Sequence, residues 1–259
     1  MSAGRAKLTV VSTIVRLLTL GLAICGILFG LQVLPSARRA EALQSIGMQL
    51  LKAESFPAAQ LRGLPTGAEK LSSCETEAQV GLALAALMQA EETLATGRVK
   101  ELDETLAALS MRIEALLRCS PHQPFFWLIR FWTQAITGTF EQGSWRMLEE
   151  SYRLGPNEGW IATRRNRYAL NLFLAVPEGL RPTILREFAT LVRDGYLWES
   201  AKSYAKATEG TRALLRTALM ALSERQRRAF AAVLEQAGIE DPALRNSGPT
   251  LDLRFLTPQ

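Results

Sequence analysis

The chain has 259 residues and a formal charge of +5, from 30 basic and 25 acidic side chains, with one histidine and three cysteines. Three of the basic residues, Arg5, Lys7 and Arg16, fall within residues 1–37, which carry no acid, so the remainder is close to neutral. A near-neutral body lacks the electrostatic footprint of a nucleic-acid binder, and a lone His122 with no Cys-x-x-Cys supplies no metal-ligand set, so no metal and no cofactor is expected.

In chain order, residues 1–7 read as a short tail and 8–34 as a transmembrane anchor. The run from Leu17 to Leu34 is uncharged. At about 1.5 Å per helical residue, some 18 to 25 residues cross a hydrocarbon core roughly 30 Å thick. The apolar run is longer than a signal-peptide core, and Arg38-Arg39 stand where cleavage wants small neutral residues. Basic residues flank both ends, and the short tail favours an N-inside orientation. That orientation exports the rest of the chain, giving a single-pass inner-membrane protein with a periplasmic domain. Residues 35–72 read as a juxtamembrane helix followed by a hinge loop punctuated by Pro57, Gly63, Pro65 and Gly67.

Residues 73–245 read as one all-α domain, rich in Ala, Leu, Glu and Arg and without a strand-like alternating run. Ser72-x-x-Glu75 resembles a capping box. A helix from there to about Ala95, broken by Gly97 and followed by a helix to about Cys119, predicts a hairpin with near-equal arms. Cys74 and Cys119 then lie at its open end, either as a disulfide or as two separate half-buried thiols. A disulfide implies an oxidising compartment. Further helices are expected from Asn157 towards Pro177 and at 181–194, 196–207, 210–222 and 224–237, the last opened by Ser223-x-x-Gln226. Asp241-Pro242 begins a short turn of helix, and 246–259 reads as a loose tail.

The stretch from Pro121 to Pro156 is the most patterned. Trp127 and Gly138 are eleven residues apart, Gly143 follows five later, and Pro156 closes the unit. This resembles a degenerate tetratricopeptide repeat, although Arg130 and Phe131 stand where that family has Leu-Gly. Trp160 lies 33 residues after Trp127, close to the family's period of about 34. The resemblance implies a short α-solenoid of helical hairpins, which presents side chains to a protein partner. The chain as a whole also resembles a class of uncharacterised bacterial bitopic proteins, some linked to envelope polysaccharide genes. That likeness implies a non-enzymatic scaffold or adaptor of a cell-envelope assembly, with membrane, protein partners and anionic polysaccharide as its contacts.

No Gly-x-Ser-x-Gly, phosphate loop or His-Glu-x-x-His is present. The best ligand-contact candidates are Trp160, Arg164, Arg167 and Tyr168, where guanidinium and aromatic groups share one side of a helix. The competing arrangement buries Trp160 and pairs the arginines with Glu149, Glu150 or Glu158. Two other readings stay open. One is a helical carbohydrate-active enzyme using a carboxylate in a groove. The other is a structural subunit joined through its span, where Gly26-x-x-x-Gly30 allows close helix approach.

Overall fold

A computed structural model describes residues 16–31, 74 and 76–245. The described residues are helical throughout apart from turns and two short 3-10 segments, and no strand occurs among them. The chain divides into two compact units, residues 1–121 and 122–259.

In the first unit, α1 covers residues 16–31 with every side chain exposed, among them Leu20, Ile24, Leu28 and Phe29. No described helix is long and apolar enough to cross a membrane. The expected span 8–34 lies partly outside the described residues. So do the juxtamembrane stretch 35–72, the Ser72/Glu75 capping box and the tail 246–259.

Helices α2 (Thr76–Ala95) and α3 (Val99–Cys119) pack as an antiparallel hairpin. The seam is legible in the spacing of Leu106, Leu109, Ile113, Leu116 and Leu117, all buried against the alanine- and leucine-rich α2. Burying each such side chain contributes about 1.5–3 kcal/mol. Gly97 turns the chain at φ 67°, where any side chain is strained. Cys74 and Cys119 are joined by a disulfide at the open end, with Cα atoms 5.2 Å apart.

The second unit stacks helices in two alternating rows. In order they are α4 (Pro124–Thr137), α5 (Trp145–Leu154), α6 (Gly159–Asn171), α7 (Arg181–Arg193), α8 (Leu197–Lys206), α9 (Glu209–Leu219), α10 (Glu224–Gln236) and the single turn α11 (Pro242–Arg245). Consecutive pairs pack as α4 on α5 and α6 on α7. Every-other contacts then run α4–α6–α8–α10 along one row and α7–α9 along the other. Ring clusters fill the layers: Phe131, Phe140 and Trp145 lie 4.9–5.5 Å apart, and Phe188, Tyr204 and Phe230 lie 5.8–6.3 Å apart. The capping box that opens α10 is present, with the Gln226 N–H donating to Ser223 Oγ and the Ser223 N–H to Gln226 Oε1.

The helix expected to run from Asn157 towards Pro177 is shorter. It ends at Asn171, and a 3-10 turn over Phe173–Ala175 follows. Phe173 and Val176 are buried, and the tighter turn delivers both to the core before Pro177 forbids further helix.

Candidate functional site

Two constellations in the second unit combine charge, aromatic rings and position. The first is the face shared by α4 and α6. Phe125 and Trp132 are one heptad apart on α4 and meet Trp160 and Tyr168 on α6, with ring centroids 4.9 Å apart for Phe125–Trp160 and 6.0 Å for Trp132–Tyr168. Arg164 lies over the Phe125 ring at 5.8 Å and Arg167 over Tyr168 at 5.2 Å. The four residues singled out from the sequence thus gather on one side of α6. They form two arginine–aromatic stacks rather than one cluster. Trp160 is 48% exposed, so it is not a core residue, and its Nε1 donates to Glu158 at 3.0 Å. Of the acids expected to pair with arginines here, Glu150 bonds Arg153. Arginine over an aromatic face is worth about 0.5–1 kcal/mol when exposed, and such a surface suits an anionic or aromatic group on a partner.

The second constellation is buried, and the sequence reading passed over it. Arg165 is fully buried on the opposite side of α6. Its Nε and Nη2 donate to Glu187 Oε1 at 2.9 and 2.6 Å. Its Nη1 reaches the Ser151 carbonyl at 2.7 Å and the Gly155 carbonyl at 3.1 Å. The guanidinium carbon lies 4.1 Å from the centroid of the Tyr152 ring. Tyr152 Oη donates to Glu187 Oε2 at 2.8 Å, and Asn166 Nδ2 approaches the same oxygen at 3.4 Å. Burial pushes the Glu187 carboxyl above its ordinary range, against the opposing pull of Arg165, Tyr152 and Asn166. Burial, then the Glu187 charge, pushes the Tyr152 phenol well up. A carboxyl with a raised pKa beside a cleft has the profile of a general acid. Both Glu187 oxygens are occupied by protein donors, however, so the group ties α5, α6 and α7 together and has no oxygen left to address a substrate.

A sequence signal for this network existed. Arg165 follows Ile161 by four residues and precedes Ala169 by four, all three buried, which puts a charge in the middle of an apolar stripe. The segment also recurs. Ser151-Tyr152 and Glu158-Gly159-x-x-Ala162-x-x-Arg165 are matched about 51 residues on by Ser203-Tyr204 and Glu209-Gly210-x-x-Ala213-x-x-Arg216. The second copy builds a like cluster. Arg216 Nη1 donates to Asp241 Oδ2 at 2.9 Å and to Tyr204 Oη at 3.3 Å, and Tyr204 Oη donates to Asp241.

His122 is exposed in the turn before α4, and Glu149 lies on an exposed helix face. Among the described residues no group of three or more His, Cys, Asp or Glu is placed to hold a metal ion. Compared with protein-family models, curated proteins and solved structures, the chain has no match in any of the three.

Proposed function

We propose that this protein is a non-enzymatic, membrane-tethered adaptor, whose tetratricopeptide-like second unit captures a protein partner in a cell-envelope assembly. The observation that carries the reading is the α4–α6 face, a half-exposed tryptophan flanked by arginines stacked on aromatic rings, set in a row of helices that touch every second neighbour. Contacts between every second helix support a solenoid reading, in which a row of side chains would face the partner. The chemistry of the face favours an acidic partner, whether a peptide or an anionic polysaccharide.

The exposed apolar side chains of α1 support a membrane anchor at the N-terminal end. The Cys74–Cys119 disulfide supports an oxidising compartment for the hairpin, and with it a periplasmic domain.

The test is photo-crosslinking in intact membranes, with a photoreactive aromatic residue at position 160. A discrete adduct that disappears in Arg164→Glu/Arg167→Glu supports the adaptor. An unchanged adduct pattern, or none, overturns it. Labelling with a membrane-impermeant maleimide checks the compartment. Cys74 and Cys119 react in intact cells only after reduction if the domain is exported. Reaction only after lysis, without reductant, puts the domain in the cytoplasm.

A further inference from the structure

We propose that the cleft between the start of α6 and α7 is a binding site for a small sugar acid, a hydroxylated ring bearing one carboxylate. The cleft has a volume of about 380 Å³, inside the roughly 300–1,000 Å³ range of small-ligand sites. Its floor is closed by the Tyr152–Glu187 pair, whose polar atoms are already engaged. At its rim Arg193 is bonded to Asp194 at 2.8 Å, which cancels both charges.

What remains in the lining is a set of polar side chains with no side-chain hydrogen bond or ion pair among the described residues: Asn157, Thr183, Arg186, Thr190 and Tyr196. Thr183, Arg186 and Thr190 follow one another at intervals of three and four on α7, so they form one stripe along the wall. Tyr196 closes the other end. Its Oη lies so near the first turn of α6 that a Cβ on Gly159 would stand 2.3 Å from it. Glycine at 159 is therefore what lets the phenol sit there.

The ligand class follows from this inventory. Arg186 is the one lining charge without a partner among the described residues, so the site matches a single negative charge, and a dianion would leave one charge uncompensated. Two hydroxyls, a phenol and an amide both donate and accept, which suits several ligand hydroxyls at once. A peptide carboxylate would engage Arg186 and leave these groups unmatched. The part-exposed Tyr196 ring supplies apolar surface for the face of a sugar ring. The site is separate from the aromatic face, because Gly159 and Ala162 line the cleft whereas Trp160 and Arg164 meet Phe125.

The experiment is calorimetric titration of the full chain with sodium D-glucuronate, with D-glucose and the monoanionic N-acetylglutamate α-amide as comparison ligands. The expected result is glucuronate binding, with each comparison ligand about tenfold weaker or worse. Arg186→Gln, at an exposed position that the fold does not need, is expected to weaken glucuronate about tenfold with an unchanged circular dichroism spectrum. Gly159→Ala, which displaces Tyr196, is expected to weaken glucose and glucuronate alike. Absence of glucuronate binding, or glucose binding as well as glucuronate, overturns the proposal. So does Arg186→Gln without effect. N-acetylglutamate α-amide binding as well as glucuronate also overturns it, in favour of an acidic peptide side chain.

Discussion

The two tyrosine–arginine–carboxylate clusters of the second unit follow the same chain order, with Glu187 in one and Asp241 in the other, yet their arginines sit in different dielectric surroundings. Arg165 and Glu187 have side chains 0% and 7% exposed, whereas Arg216 is 23% exposed and shares its charge between Asp241 and the exposed Glu209. In the inner cluster, removal from water dominates and the carboxyl is driven up. In the outer one burial also pushes Asp241 up, but bonds from Tyr204, Arg216 and the Leu244 backbone outweigh it, and the carboxyl ends below its ordinary value. The same chemistry thus serves two purposes. The inner cluster locks three helices through a pair that neither partner can leave, and the outer one pins a single helical turn to the end of the stack.

The largest effect is expected from Arg165→Met. It strands Glu187 in the core and is expected to destabilise the second unit by about 3–5 kcal/mol at neutral pH. All five tryptophans lie in that unit, so a fluorescence-monitored urea midpoint reads it directly. Part of the loss should return on acidification, because the stranded carboxyl can take a proton. A shift no larger than that of Arg216→Met would show that the inner pair is not the lock.

Glu187→Gln is next, at about 2–4 kcal/mol, since it leaves a buried guanidinium without its counter-charge and turns one acceptor into a donor. Gly155→Ala ranks third. A Cβ there would meet Pro124 side-chain atoms at 2.9 Å and force α4 away from the α5–α6 turn, for about 1–3 kcal/mol. Arg216→Met should cost only about 1 kcal/mol, because water reaches the arginine and Asp241 keeps its bonds from the Tyr204 hydroxyl and the Leu244 N–H. Fraying should be confined to α11, visible as faster exchange of the Leu244 amide, which donates to Asp241 Oδ1.

The pH dependence separates the clusters by sign. Glu187 has a raised folded pKa, so the folded state holds its proton more tightly than the unfolded chain. Its contribution is fully present below the unfolded value of about 4.3 and declines as pH rises through the folded value. Asp241 has a lowered folded pKa. Its contribution is present above the unfolded value of about 3.9 and is lost as pH falls through the folded value. Acid titration followed by hydrogen exchange should therefore release α11 while the Ser151–Arg165–Glu187 junction stays closed. Simultaneous release of both would contradict the opposed shifts.

The helices and their seams were legible because apolar spacing and glycine stops are local signals. Leu106, Leu109, Ile113 and Leu116 mark one face of α3, and Gly97 ends the helix before it. The arginine–aromatic face was legible for the same reason, since Trp160, Arg164 and Arg167 share one side of a single helix. The inner cluster was not read, because its partners are 22 and 35 residues apart and meet only once α5, α6 and α7 have packed.

By itself the sequence determined an all-helical chain, an uncharged apolar segment near its start and the lengths of most helices, all through contacts a few residues apart. Only the tertiary structure decided which charged side chains go inside. Arg164 and Arg165 are neighbours with the same chemistry, yet one lies over Phe125 on the α4–α6 face and the other is sealed among Ser151, Gly155 and Glu187. A guanidinium can be taken out of water only where carbonyls and a carboxylate already converge to receive it, and that convergence is a property of three packed helices and of no single one.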